Sequence, residues 1–159
     1  MIKEILLLGN ARLYEVSNEI QREELDEIKE IVQDLHDTLV DFKSTYKAGR
    51  AIAAPQIGIQ KGLLYMYIDK PVVFINPRLV FDDNVKMKVL DDCMSFPSLL
   101  VMVERYKRCT IKYKDIEWND CEIKLEGDLS ELLQHEYDHL DGVLATIRAI
   151  DNKSFYIKQ

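Results

Sequence analysis

Near the end of the chain, His135 and His139 are four residues apart, and Glu136 directly follows the first of them. On a helix, residues four apart project from one face, so both imidazoles could bind a single metal ion. The glutamate would then lie beside any water that the metal binds. This HExxH pattern is typical of a site with two nitrogen ligands and a general base. The alternative is an amphipathic helix with two incidental histidines, which is weakened because the chain has only three histidines.

A catalytic metal site of this kind usually has three protein ligands and one open position. The candidates for the third ligand are the three cysteines, His36 and many carboxylates. Cys93 is favoured because the segment DDCMSFP, residues 91–97, follows a predicted strand. Cys109 lies inside a predicted strand and is expected in the core, whereas Cys121 follows a turn. The cysteines lack CxxC spacing, which argues against a disulfide framework. His36 has no partner motif and is expected to be a surface or packing residue.

The composition is that of an ordinary soluble globular protein, with 47% hydrophobic and 31% charged residues. A length of 159 residues predicts a single domain, 1–159, with a proper core. The net charge of −7 argues against nonspecific binding to nucleic acid, whose affinity comes largely from phosphate neutralisation. No apolar run approaches the roughly 20 residues that span a bilayer. We therefore expect a cytoplasmic protein without a nucleic-acid or membrane partner.

Two short segments need separate interpretation. The apolar run within residues 1–8 is too short for a signal peptide and predicts an opening strand or an extended arm. Basic residues cluster at 105–108 (RYKR) in a strand-like stretch. We expect a solvated strand face there rather than a site for nucleic acid.

The order of patterns along the chain predicts a long helix followed by strands. Apolar residues recur at spacings of three and four over residues 22–46, with acidic residues early, as in an amphipathic helix. Small residues and a proline at 47–58 (KAGRAIAAPQIG) predict a tight connection that allows close backbone approach. β-branched and aromatic residues predict strands at 62–68, 72–81, 86–90, 101–104, 108–113 and 121–126.

A second predicted helix carries the HExxH segment. Asp128 is expected to be its N-cap, with Glu131 three residues later closing a capping box. The helix should end near Gly142, and the tail has room only for a strand or a turn. Since helices and strands are segregated, the predicted class is α+β. We expect antiparallel strands packed around the C-terminal HExxH helix, with a long N-terminal amphipathic helix.

Three segments resemble, in order and with compatible spacing, the motifs of the peptide deformylase family. Residues 49–56 (GRAIAAPQ) are similar to the glycine-rich motif that ends in Ala-Ala-x-Gln. Residues 91–95 (DDCMS) are similar to Glu-Gly-Cys-Leu-Ser, and residues 134–142 (QHEYDHLDG) match the His-Glu-x-x-His segment. Weaker likeness covers nearly the whole chain. Any single motif is suggestive, whereas three in order are strong evidence of kinship.

The resemblance implies a role for each residue of the site. The implied ligands of one divalent metal are Cys93, His135 and His139. Ferrous iron is the first expectation for that metal, and zinc, nickel and cobalt also suit this set of donors. Glu136 would be the general base and acid. The side-chain amide of Gln56 and the backbone N–H of Met94 would stabilise the oxyanion. The alternative for Gln56 is an ordinary amide in a turn.

The sequence departs from the family at positions that, in relatives, surround the pocket for the first substrate side chain, normally methionine. The substrate-binding positions implied for this chain are Gly49, Arg50, Ala51, Ile52, Asp91, Asp92, Glu131 and Leu132. Arg50 replaces an apolar residue, Asp92 replaces a glycine, and Glu131 replaces an apolar or basic residue. These charges would make the pocket polar, so an altered side-chain preference is expected. Asp91 is one carbon shorter than its counterpart and is expected to pair with Arg105, with a water bridging the two.

Two functional hypotheses follow. The first is metal-dependent hydrolysis of the N-formyl group of formyl-methionyl peptides or nascent proteins, releasing formate. Its implied partners are a formylated peptide or nascent chain and the ribosome, and the protein is expected to be a monomer. The second is a catalytically weak deformylase-like protein that binds a metal or a peptide terminus, with Arg50 and Asp92 recognising a charged group. Retention of Glu136 and Gln56 speaks against the second. A zinc endopeptidase would share the HExxH helix but would not require the other two motifs.

Overall fold

The computed structural model describes residues 1–159. Its first long element is α1 (Leu25–Tyr46), which a short 3-10 turn precedes. The helix has one apolar face, and the buried side chains on it include Ile28, Ile31, Leu35, Leu39 and Phe42. The helix ends where Lys47 adopts a left-handed φ of 57° and its N–H bonds to the Lys43 carbonyl, which is a common way to end a helix.

Eight strands follow. They are β1 (Ala51–Ala53), β2 (Leu63–Tyr67), β3 (Pro71–Val80), β4 (Lys86–Asp91), β5 (Leu99–Tyr106), β6 (Arg108–Lys114), β7 (Asp120–Glu126) and β8 (Phe155–Ile157). One sheet has five strands in the order β1-β2-β3-β6-β7, and the other has three in the order β4-β5-β8. Every pair of neighbouring strands is antiparallel. The predicted α+β class with antiparallel strands is confirmed, and the six predicted strands are present with ends that lie at most two residues from the predicted ones.

The connection at 47–58 contains a strand that the sequence analysis did not predict. β1 pairs with β2, and a 3-10 turn at Ala54–Ile57 follows it directly. A strand of three residues is too short to display a period of two in the sequence. The Ile52 side chain is fully buried in the core against α1. Among the residues predicted to bind the substrate, Ile52 is thus the one whose side chain faces the core and not the cleft.

The second helix, α2 (Asp128–Leu140), starts differently from the prediction. Its N-cap is Gly127, with φ 63° and ψ −126°, and no side chain caps the helix. The backbone N–H of Glu131 bonds to the Gly127 carbonyl at 3.0 Å. Asp128 is thus the first helical residue and Glu131 does not close a capping box. Gly127 takes the N-cap position because its φ lies in the left-handed region, which glycine tolerates best.

The five-stranded sheet lies between the two helices. Successive side chains of a strand point to opposite faces. Accordingly, Ile52 and Tyr65 pack in the core that α1 covers, whereas Ala53 and Leu64 pack in the core that includes Leu133 of α2. The helix that carries the HExxH segment is therefore held firmly against the sheet by apolar contacts.

The two chain ends pack against the segments that contain Gln56 and Ser95 and against β5. Residues 1–8 run extended without forming a strand, and the N–H groups of Leu6 and Leu8 bond to the carbonyls of Gln56 and Ser95, both at 2.8 Å. Of the two predicted alternatives for this segment, the extended arm is correct. At the other end, β8 pairs with β5. No helix has both the length and the apolar character needed to cross a membrane.

Candidate metal centre and cleft

The HExxH segment lies on α2, and the turn after β4 brings Cys93 to it. The ligand atoms of Cys93, His135 and His139 all lie within 4.8 Å of one another, and the three residues are buried. Cys93 Sγ lies 3.4 Å from His139 Nε2. Tetrahedral bonds of about 2.3 Å to sulfur and about 2.0 Å to nitrogen would place two such donors roughly 3.5 Å apart. The three side chains therefore fit a single metal ion.

Asp91, the last residue of β4, holds the first histidine in place. Its Oδ2 atom lies 3.0 Å from His135 Nδ1. When His135 donates Nδ1–H to this carboxylate, its Nε2 lone pair is free for a metal, which is the usual arrangement around a metal-bound histidine. Burial by itself lowers the pKa of His135. The neighbouring Asp91 and Cys93 raise this pKa by a larger amount, so it lies well above the ordinary value. Metal binding must consequently displace a proton from this ring.

His139 has the opposite environment. It is 1% exposed, and its Nδ1 atom has no hydrogen-bond partner. Burial, together with the positive charge on His135, holds the pKa of His139 well below its ordinary value. A neutral imidazole is the form that binds metals, so the ring is ready to act as a ligand.

Arg105 holds Asp91, the partner of His135, through a buried ion pair. Its guanidinium donates from Nη2 to Asp91 Oδ2 at 2.6 Å and from Nη1 to Asp138 Oδ2 at 2.7 Å. The Arg105 side chain is 3% exposed. The expectation of a solvated strand face at 105–108 is therefore wrong for Arg105, because two carboxylates neutralise it inside the protein. The expected water bridge to Asp91 is also wrong, since the contact is direct.

Glu136 is 4% exposed and lines the cleft beside the ligands. Burial raises its pKa to about 7. Its Oε1 atom has no hydrogen-bond partner within the protein. A carboxyl group with a pKa near neutrality and a free oxygen can both accept and return a proton at physiological pH.

Gln56 is fixed by the turn that follows β1. Its Oε1 accepts the Ala53 N–H at 2.9 Å, and its Nε2 donates to Ser95 Oγ at 3.1 Å. The same Nε2 lies 3.5 Å from Cys93 Sγ. The amide N–H groups therefore face the metal ligands, whereas the oxygen faces away. Met94 follows Cys93 and lines the same cleft. Sequence reasoning missed Ser95, although its place in the DDCMS segment made it available.

These residues surround one cleft of about 400 Å³. Apart from Ile52, the side chains predicted for the substrate pocket all line it, namely Gly49, Arg50, Ala51, Asp91, Asp92, Glu131 and Leu132. Sequence reasoning missed several further lining residues, including Phe42, Lys43, Tyr46, Lys47, Pro97 and Lys158. No local pattern marks them, since they come from the end of α1 and from the C-terminal tail.

The charged residues of the cleft form two separate pairs. Arg50 Nη2 lies 3.8 Å from Glu131 Oε2, and Lys158 Nζ lies 3.2 Å from Asp92 Oδ2. Burial raises the pKa of Glu131 to about 8, and the neighbouring Asp91 raises it as well. Arg50 and Asp92 thus have different partners, and the expected joint recognition of a charged group by these two residues has no support in the contacts.

The other candidate ligands lie elsewhere. Cys109 is buried in the core next to Leu125 and Leu133, as predicted. Cys121 is half-buried at the start of β7. His36 packs against Tyr67, and its Nδ1 lies 2.7 Å from the Tyr65 hydroxyl, which confirms its predicted packing role.

Three donors from one thiolate and two imidazoles, with a buried glutamate beside them, define a metal-dependent hydrolase of the HExxH class. Comparison with known families narrows this class. Residues 2–155 match the family model described as polypeptide deformylase. The chain belongs to the polypeptide deformylase family.

Individual relatives agree with this assignment. The chain is 32% identical over 159 residues to a peptide deformylase of Pseudothermotoga lettingae, covering 100% of this chain and 90% of that protein. It is 34% identical to one of Rhizobium meliloti, covering 90% and 82% of the two chains. Among solved structures, the peptide deformylase of Thermotoga maritima superposes with a TM-score of 0.86 at 29% identity, over 95% of this chain and 99% of that one. The enzyme of Synechococcus elongatus, in complex with actinonin, gives 0.87 at 27% identity, over 96% and 81%.

Replacing Asp91 with asparagine is expected to weaken metal binding by about 10–100-fold, the usual effect of removing a carboxylate behind a ligating histidine. The asparagine keeps the shape but no longer fixes the His135 tautomer with a negative charge. Metal affinity would be measured by competition with a chromogenic chelator. Asp92→Asn is the matched control, because Asp92 is exposed and pairs with Lys158 instead. Equal affinities for the two variants would contradict the role assigned to Asp91.

Proposed function

We propose that this protein hydrolyses the N-formyl group of formyl-methionyl peptides or nascent proteins and releases formate. One observation carries the proposal: Cys93, the two HExxH histidines, buried Glu136 and the Gln56 amide converge in a single cleft. Kinship with peptide deformylases supports the same activity. The polar residues in the cleft support an altered preference for the first side chain.

The metal site would be formed by Cys93, His135 and His139, whose donor atoms suit one divalent ion. When bound, the metal would supply Lewis acidity, which acidifies water and polarises a carbonyl. We propose ferrous iron as the native metal. Zinc, nickel and cobalt also suit one thiolate and two imidazoles, and supply in the cell contributes to the choice.

The protein's own groups then handle the proton and the charge. Glu136 removes a proton from the attacking water and later delivers it to the nitrogen of the departing amine. As the formyl carbonyl becomes tetrahedral, its oxygen gains negative charge. The N–H groups of the Gln56 amide and of the Met94 backbone are assigned to that oxygen. Because Ala53 and Ser95 already hold the Gln56 amide, its orientation costs nothing when the reaction occurs.

A catalytically weak binding protein is the less favoured alternative. A module that only binds a metal or a peptide terminus needs neither a general base nor an oriented amide. Glu136 is nevertheless retained with a pKa near 7, and Gln56 is fixed beside the ligands. The presence of both catalytic groups favours a protein that turns over its substrate.

We further propose that residues 1–159 act as one domain and one monomer in the cytoplasm, and that the protein meets its substrates as nascent chains at the ribosome. The supporting argument is the substrate itself, since formylated N-termini arise during synthesis. The net charge of −7 disfavours nucleic acid as a partner in its own right.

The direct test is an incubation of metal-loaded protein with formyl-Met-Ala-Ser. We expect stoichiometric release of formate and of a free amine, and loss of both products after treatment with a chelator. Restoring the metal should restore the rate. A fully loaded protein that releases no formate from any of several formyl peptides would overturn the proposal.

A further inference from the structure

Basic side chains surround the mouth of the cleft. Lys43 and Lys47 come from the C-terminal end of α1, Arg50 from the segment before β1, and Lys158 from the tail. Lys43, Lys47 and Lys158 are exposed, and Arg50 is half-exposed. Such a cluster is unexpected on a chain whose net charge is −7. We call these four residues the basic rim.

Carboxylates offset only part of this charge. Asp92 pairs with Lys158, and Glu131 lies 3.8 Å from Arg50. Lys43 forms no ion pair, and the ammonium of Lys47 donates only to the Ser44 carbonyl at 2.9 Å. Even with both carboxylates fully charged, the rim keeps two unpaired cations. On the floor of the cleft, the charge of Asp91 is already matched by Arg105.

A peptide bound with its formyl group at the floor of the cleft must pass the basic rim. A formyl group that reaches Glu136 and Cys93 on the floor leaves the rest of the peptide to exit through the mouth. An extended chain advances about 3.3 Å per residue, so the second and third residues lie roughly 3 Å and 7 Å beyond the first. Lys43 lies in the last turn of α1 and Lys47 directly follows the helix. Both residues line the cleft, so both ammonium groups can face this exit.

We propose that the basic rim selects formylated peptides that carry acidic side chains at the second and third residues. This inference rests on the proposed function and specifies its substrate class. Attraction between the rim and an acidic peptide speeds encounter and weakens as salt screens it. Lys43 and Lys47 contribute most, because no carboxylate of the protein competes for them.

The experiment compares three formyl peptides that differ only in charge: formyl-Met-Glu-Asp, formyl-Met-Gln-Asn and formyl-Met-Lys-Arg amides. At low ionic strength, kcat/KM should be about tenfold higher for the acidic peptide than for the basic one, since each exposed charge pair contributes modestly. The difference should shrink as salt is added. The double variant Lys43→Glu, Lys47→Glu should reverse the preference.

The matched control is Lys112→Glu, Lys124→Glu, which changes the net charge equally on exposed positions of β6 and β7. It should leave the acidic-to-basic ratio unchanged. Equal kcat/KM for the three peptides would overturn the selectivity proposed for the basic rim. The same change of the acidic-to-basic ratio in both double variants would also overturn it. If no peptide at all releases formate, the proposed function fails instead. In that case, the affinities of the same three peptides for the Glu136→Gln variant would be measured by calorimetry. These affinities show the charge preference without requiring turnover.

Discussion

Replacing Glu136 with glutamine is expected to lower kcat by a factor of about 10²–10⁴, the usual contribution of a general acid–base group. The amide keeps the size of the carboxyl but can neither accept the proton of the attacking water nor return it to the amine. Because Glu136 is not one of the three clustered ligands, the metal should stay bound. Formate release and metal content would be measured on the same sample.

The control for this variant is Glu122→Gln, on an exposed position of β7. It makes the same chemical change far from the cleft and should leave kcat unaltered. A Glu136→Gln protein that keeps both its metal and its activity would remove Glu136 from the mechanism. One that loses its metal would show that Glu136 serves the site by holding the ligands.

Replacing Arg105 with methionine is expected to reduce the free energy of unfolding by about 3–5 kcal/mol, because removing one partner leaves buried charge uncompensated. Arg105 contacts Asp91 and Asp138, and both carboxylates are buried. Asp138 would keep Arg148, whose Nη2 lies 2.9 Å from its Oδ1. Asp91 would lose its guanidinium partner while still contacting the ligand His135, so damage should also reach the metal site. Urea denaturation would give the free energy.

Arg108→Met is the matched control, since Arg108 lies three residues away and also contacts two carboxylates, Asp83 and Glu126. Its side chain is 43% exposed, and exposed ion pairs contribute about 0–1 kcal/mol. We expect the two variants to differ by at least about 2 kcal/mol. Similar losses would contradict the importance of burial in this network.

Local patterns in the sequence were enough to predict most of the strands. Residues 72–81 and 108–113 are rich in β-branched and aromatic residues, and they form β3 and β6 with ends shifted by a residue. The spacing of His135 and His139 predicted that they share one helix face, and their ligand atoms do converge with Cys93. These features depend on residues that are close in sequence or belong to a known motif.

Other features depend on contacts between distant segments, which local patterns do not reveal. The sequence around Arg105 resembles an exposed basic cluster, and only the approach of β4 and α2 makes it a buried ion pair. The conformation of Gly127 overrode the capping pattern of Asp128 and Glu131. Likewise, Lys158 reaches the cleft only because β8 pairs with β5.

The charged residues that replace the family's usual pocket residues each contact a polar partner in the cleft. Arg50 and Glu131 face each other across 3.8 Å, and Asp92 is matched by a lysine that no motif predicted. The residues that depart from the family pattern at positions 50, 92 and 131 therefore have polar partners within the protein, while the metal ligands and Glu136 remain as in the motifs.

Formyl-peptide hydrolysis by this protein should depend on a metal held by the three clustered ligands. The most direct measurement is a titration of metal-free protein with ferrous iron under anaerobic conditions, with bound iron and formate release from formyl-Met-Ala-Ser determined at each step. We predict that the rate rises in proportion to bound iron and levels off at one iron per chain, and that Cys93→Ala abolishes this rise. A rate that is independent of bound iron, or no formate at full occupancy, would contradict the account.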